Sequence, residues 1–109
     1  VPDYIKSKSV AEETAWEFVK KHNNPFELVC VHPTLVLGPI LSGRLPDSMK
    51  TLVAMMNGEF PFVPNLHWSI VDVRDVAQAI QKALKAPNAN GNRYMLSGEN
   101  LWFIDMAHV

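Results

Sequence analysis

Tyr4 and Lys8 form a Tyr-x-x-x-Lys pair near the start of the chain. A phenol can give or take a proton, and a neighbouring ammonium favours its phenolate form. Four residues apart on a helix, the two side chains lie one turn apart on one face, with Cβ atoms about 5–6 Å apart. A tyrosine in that setting can hand its proton to a carbonyl oxygen while hydride arrives at the carbonyl carbon. The spacing alone is common, however, and a surface tyrosine beside a solvated lysine has the same letters.

Other reactive residue types are less promising. Cys30 lies in the apolar run Leu28-Val29-Cys30-Val31 and reads as a packed thiol rather than a nucleophile. His22, His32, His67 and His108 show no paired ligand spacing, and no second cysteine joins them, so no metal site is expected. Gly38 and Gly43 have the first spacing of a nucleotide P-loop, but Arg44-Leu45 stands where lysine and serine or threonine are needed. No Gly-x-Gly-x-x-Gly arrangement is present. Trp68, Phe60, Phe62, Met55 and Met56 are candidates for a substrate pocket, with core packing as the default for each. Trp102 and Phe103 read as packing residues.

The elements that must position Tyr4 and Lys8 follow from periodicity. A helix is predicted from residue 3 or 4 to about 21, with Ala11, Ala15, Phe18, Val19 and His22 on its apolar side. Asn23-Asn24-Pro25 should end it. Residues 26–31 read as a short buried parallel strand stopped by His32-Pro33. An irregular stretch opens at Gly38-Pro39 and lasts through Pro46. A second helix is predicted over 47–56, stopped by Asn57-Gly58. Short strands are expected over 60–63 and 68–71. A third helix should cover 73–85, N-capped by Asp72 and with Val76, Ala79, Ile80, Ala83 and Leu84 as its apolar face. A turn at 87–92, a strand over 93–97 and a helix over 102–109 complete the pattern. Such alternation indicates an α/β protein.

Composition narrows the function classes. The chain has 109 residues, 48% hydrophobic and 19% charged, which is globular rather than disordered. Ten basic and eleven acidic residues give a formal charge of −1, so no broad field attracts nucleic acid or an anionic membrane. No apolar run approaches the roughly 18 residues of a membrane span. A lone cysteine fits a reducing compartment, and a cytoplasmic protein is expected.

Four segments, taken in order, change the weight of Tyr4 and Lys8. Tyr4-Ile5-Lys6-Ser7-Lys8 is followed by Ala11-Glu12. His32 to Pro39 contains Pro-x-x-Val-x-Gly-Pro. Residues 71–77 read Val-Asp-Val-Arg-Asp-Val-Ala, and 91–94 read Gly-Asn-Arg-Tyr. Together they resemble the extended short-chain dehydrogenase/reductases over essentially the whole chain. Trp16 and His32-Pro33-Thr34 resemble the dihydroflavonol reductase-like aldehyde and ketone reductases within that group, whereas nucleotide-sugar epimerases and dehydratases more often carry Arg-Pro in place of His32-Pro33.

The resemblance implies the C-terminal portion of a doubly wound Rossmann-type fold with a small substrate-binding region. Residues 1–37 would close the dinucleotide-binding part and carry the catalytic helix. Residues 38–70 would form the substrate-binding region, and 71–109 the returning helix, strand and final helix. It implies hydride transfer between NADP or NAD and a small-molecule carbonyl substrate. Tyr4 would be the general acid, and Lys8 would support it and bond the nicotinamide ribose. Pro33, Thr34 and Leu35 would approach the nicotinamide largely through backbone groups. The glycine-rich phosphate loop and the serine that precede the tyrosine in that family have no counterpart here, so the isolated chain is expected to be inactive. A monomer or homodimer is expected. The same pair would serve a nucleotide-sugar epimerase or dehydratase; a non-catalytic NAD(P)-binding regulator or an inactive fragment is the alternative of another class.

Overall fold

A computed structural model of the chain describes residues 2–107. Helix α1 (Pro2–Lys21) carries Asp3 in its first turn and Lys20 and Lys21 in its last, each sign suited to the helix dipole. It ends in a Schellman-type closure. Asn24 N donates to Val19 O at 2.8 Å and Asn23 N to Lys20 O at 3.3 Å. Asn23 and Asn24 take φ of 59° and 54°, the left-handed conformation that asparagine tolerates better than most residues. The predicted stop therefore lies in the asparagines as much as in Pro25.

Strand β1 (Cys30–Pro33) is followed one residue later by β2 (Leu35–Leu37). Helix α2 spans Asp47–Met56, β3 His67–Asp72 and α3 Val73–Lys85. Then come β4 (Arg93–Leu96), β5 (Asn100–Trp102) and the short α4 (Phe103–Ala107). β1 and β4 pair in parallel, with Cys30 opposite Arg93 and Pro33 opposite Leu96. β2 pairs in parallel with β3, which pairs antiparallel with β5. The chain thus leaves one sheet and joins another at Thr34. This is the mixed α/β architecture with parallel strands that the alternation predicts.

Three expectations need correction. The strand placed over 26–31 starts later and runs through His32 and Pro33 instead of stopping there. Its partner sets both ends. Residues before Cys30 face the turn ahead of β4: Leu28 N donates to Asn90 Oδ1 at 3.0 Å, and Gly91 N to Leu28 O at 2.8 Å. Cys30 N and Thr34 N both donate toward the β4 side, to Asn92 O and Leu96 O. By strand alternation the Pro33 nitrogen points away from β4, so the missing N–H costs no rung. No strand forms over 60–63, where Pro61 and Pro64 remove ladder donors. The helix placed over 102–109 begins only at Phe103, after β5; its last two residues, His108 among them, lie outside the described residues.

The two other helices form where expected. Gly58, at φ 69°, closes α2 by donating to Met55 O at 3.0 Å. Asp72 caps α3 by accepting from Arg74 N at 2.8 Å. Val19, Val71, Ala89 and Phe103 are buried, and Trp68 packs edge-on against Phe103 with ring centroids 4.6 Å apart. Other apolar faces lie open, including Ile5, Val10 and Phe18 on α1 and Ile80 and Leu84 on α3. The described residues extend 54 × 29 × 27 Å with a radius of gyration of 17.1 Å, against about 13 Å for a compact 100-residue domain. Among them, no helix is long and apolar enough to cross a membrane.

Candidate active site

Tyr4 and Lys8 stand on the exposed side of α1. Lys8 Nζ lies 5.4 Å from the centroid of the Tyr4 ring, within range of a cation–π contact. Tyr4 is 67% exposed, so its hydroxyl is open to a reactant. Ser7 Oγ donates to Tyr4 O at 2.6 Å, a local bond within the helix.

Pro33, Thr34 and Leu35 occupy the junction between β1 and β2. Pro33 is exposed, and Thr34 and Leu35 are half-buried. Thr34 donates twice to Leu96 O, from its N at 2.9 Å and its Oγ1 at 3.2 Å. Neither group is then free to donate to a ligand. The junction sits at the carboxyl ends of two parallel strands, where the chain changes sheets, and ligands of open α/β sheets lie beyond such ends. Among the described residues, no hydrogen bond joins the Tyr4 or Lys8 side chain to Pro33, Thr34 or Leu35.

A carboxylate links the two groups indirectly. Glu12, eight residues beyond Tyr4 on the same helix, accepts from Arg93 Nε at 2.6 Å and Arg93 Nη2 at 2.9 Å. Trp16 Nε1 and His32 Nε2 each stand 3.2 Å from its Oε1. Arg93 holds the Glu12 carboxyl down to about 2, against partial burial that pushes the other way. Desolvation raises the Cys30 thiol, and the Glu12 charge raises it further, so Cys30 is kept as a thiol. That agrees with the packed role expected of it.

The second and third motifs also meet. Leu37 is register partner to Asp72, and Gly38 lies against the start of α3. Gly38 takes φ 135°, and a Cβ there would stand 2.8 Å from Val73 Cγ1, so glycine is required for this approach. Asp72 accepts from Arg74 Nε at 2.9 Å and Nη2 at 2.6 Å besides capping the helix. These bonds bring its carboxyl down to about 2. Beside this contact opens a cavity of about 630 Å³, walled by Gly38 to Ser42, Met49 and Arg74. Of the residues considered for a substrate pocket, Trp68 and Met55 pack inward near Phe103, while Met56, Phe60 and Phe62 are exposed. Phe103 is buried as a packing residue, whereas Trp102 is exposed beside His67. Neither the cavity nor the link between Glu12 and Arg93 has a local signal in the sequence. The i,i+4 steps from Tyr4 to Lys8 to Glu12 were visible, but their distant partner was not.

No family model matches the chain. It is 37% identical over 93 residues to cinnamoyl-CoA reductase CAD2 of Medicago truncatula, covering 85% of this chain and 28% of that protein. It is 33% identical over 112 residues to dihydroflavonol 4-reductase of Hordeum vulgare, covering 97% of this chain and 29% of that one. In structure it matches yeast methylglyoxal/isovaleraldehyde reductase Gre2, crystallised with NADPH, at a TM-score of 0.83 and 32% identity, covering 94% of this chain and 32% of Gre2. The chain spans less than a third of the length of these relatives. By sequence and by fold the chain is similar to part of these reductases, which matches its resemblance to the extended short-chain dehydrogenase/reductases.

Proposed function

We propose that the chain supplies the acid–base and substrate-facing portion of an NADPH-dependent reductase of aldehydes or ketones. The observation that carries this reading is the exposed Tyr4–Lys8 pair on one face of α1, in a chain whose relatives are reductases. The reductase relatives favour this over a nucleotide-sugar epimerase or dehydratase.

The donor set fits a nicotinamide cofactor. Lys8 offers ammonium hydrogens to a ribose hydroxyl, and the sheet junction at Pro33, Thr34 and Leu35 offers backbone against the ring. Nicotinamide, when bound, supplies hydride to the carbonyl carbon. Tyr4 gives its phenolic proton to the carbonyl oxygen, so an alcohol forms, and solvent then returns a proton to the phenolate. Lys8 holds positive charge beside the phenolate during that interval. Residues 38–70 shape the substrate side, where the 630 Å³ cavity lies between the Gly38 loop and α3. The open apolar faces on α1 and α3 fit packing against further structure in a longer protein. A reducing, cytoplasmic setting suits the lone thiol, and the working form is a monomer or homodimer.

The test is NADPH oxidation by the complete protein carrying this sequence, measured across a panel of aldehydes and ketones. Substrate-dependent turnover supports the reading. NADPH binding without turnover of any member would favour a non-catalytic regulator.

A further inference from the structure

Glu12 is the acidic group, among the described residues, that joins the most elements. Trp16 of its own helix, His32 of β1 and Arg93 of β4 all reach its carboxylate. The Arg93 guanidinium meets both oxygens, a two-point contact that fixes orientation as well as distance. Steps of four residues run from Tyr4 through Lys8 to Glu12, which places the three in one stripe along α1. On the opposite side, His32 directly precedes Pro33, Thr34 and Leu35. One carboxylate therefore ties the Tyr4–Lys8 stripe to the strand that leads into the sheet junction.

Among the described residues, Val19 is the buried side chain of α1, near its far end, while Tyr4, Ile5 and Val10 are exposed. Proton transfer tolerates little error in where the donor stands. A misplacement of about 1 Å can cost a reaction about 10²-fold.

We propose that Glu12 is a positioning residue: with Arg93 and His32 it sets where Tyr4 and Lys8 stand relative to Pro33, Thr34 and Leu35. The inference rests on the reductase reading given above. Glu12 touches neither substrate nor cofactor in this role; it acts through the helix it anchors.

The experiment is a double-mutant cycle in the complete protein carrying this sequence, with NADPH and its best carbonyl substrate. Glu12→Gln and Arg93→Met are each expected to lower kcat by about 10- to 100-fold. The double variant should be no worse than the poorer single, because the two act as one unit. Val19→Ala, which loosens α1 at its buried end, should lower Tm yet leave kcat nearly unchanged. Wild-type kcat in Glu12→Gln, losses that add in the double variant, or an equal kcat loss in Val19→Ala would each overturn the proposal. Where Glu12→Gln does not fold, Arg93→Lys serves, since it keeps the charge but loses the two-point contact. It is expected to lose part of kcat, and full kcat there is likewise fatal. Tyr4→Phe, measured alongside, separates the two readings: if it keeps full turnover the acid role of Tyr4 fails, whereas its loss beside an unaffected Glu12→Gln refutes the positioning role alone.

Discussion

The Lys8 ammonium sits over the ring of Tyr4, 5.4 Å from its centroid, while the tyrosine stays open to solvent. Charge and aromatic ring are thus held together by one helical turn. Under the proposed reading, Tyr4→Phe in the complete protein removes the proton donor and leaves the ring in place. Turnover should fall by about 10²–10⁴-fold, the usual weight of general acid catalysis. NADPH affinity, read by fluorescence titration, should change little. Undiminished kcat would make Tyr4 a surface residue.

Lys8→Met keeps most of the aliphatic stem and removes the charge. Two effects are expected together. Turnover falls because nothing offsets the phenolate, and the NADPH Kd rises because the ribose contact is lost. A surface lysine would alter neither, so kinetics and titration on a variant of unchanged Tm decide the matter.

The helices were legible in the sequence and the sheet only in part. α2 and α3 fall within their predicted bounds because local features define them: Asp72 caps one and Gly58 closes the other. Strand limits depend on partners far along the chain. Cys30 enters β1 because Arg93 lies opposite, and no pattern within residues 26–31 encodes that. β2 lies inside a proline-punctuated motif and β5 is the three residues Asn100–Trp102, each too short for periodicity to act on. At the candidate site, Tyr4 and Lys8 were readable because their geometry is intrahelical. The hold of Arg93 on Glu12 spans 81 residues and was not.

Gly98 should resist substitution more than Gly43. Its N donates to Ile70 O at 2.8 Å. An added Cβ would stand 2.6 Å from that same oxygen, a backbone atom of β3 that cannot swing aside. Gly98→Ala is therefore expected to cost about 1–3 kcal/mol, the usual range for overpacking. Gly43, with open space around it, provides the control. Equal denaturation midpoints for Gly98→Ala and Gly43→Ala would show that the contact yields.

The carboxylate clasp also predicts how stability responds to acid. Arg93 lowers the folded-state value of Glu12 from 4.5 to about 2. A depressed carboxyl binds protons more weakly in the folded state than in the unfolded one. Its contribution is therefore complete above about 4.5 and fades as the pH falls toward about 2. Asp72 behaves alike from 3.8 downward, through its bonds to Arg74. Tm should decline across that window in the complete protein. In Glu12→Gln the decline should be shallower, because glutamine has no proton to gain. The gap in Tm between wild type and variant should then be widest near neutral pH and shrink toward pH 2. Both carboxylates keep partial contact with solvent, so salt should narrow the neutral-pH gap somewhat as well. A gap that stays constant from neutral pH to the bottom of the window would mean that Glu12 stabilises α1 by packing and not by charge.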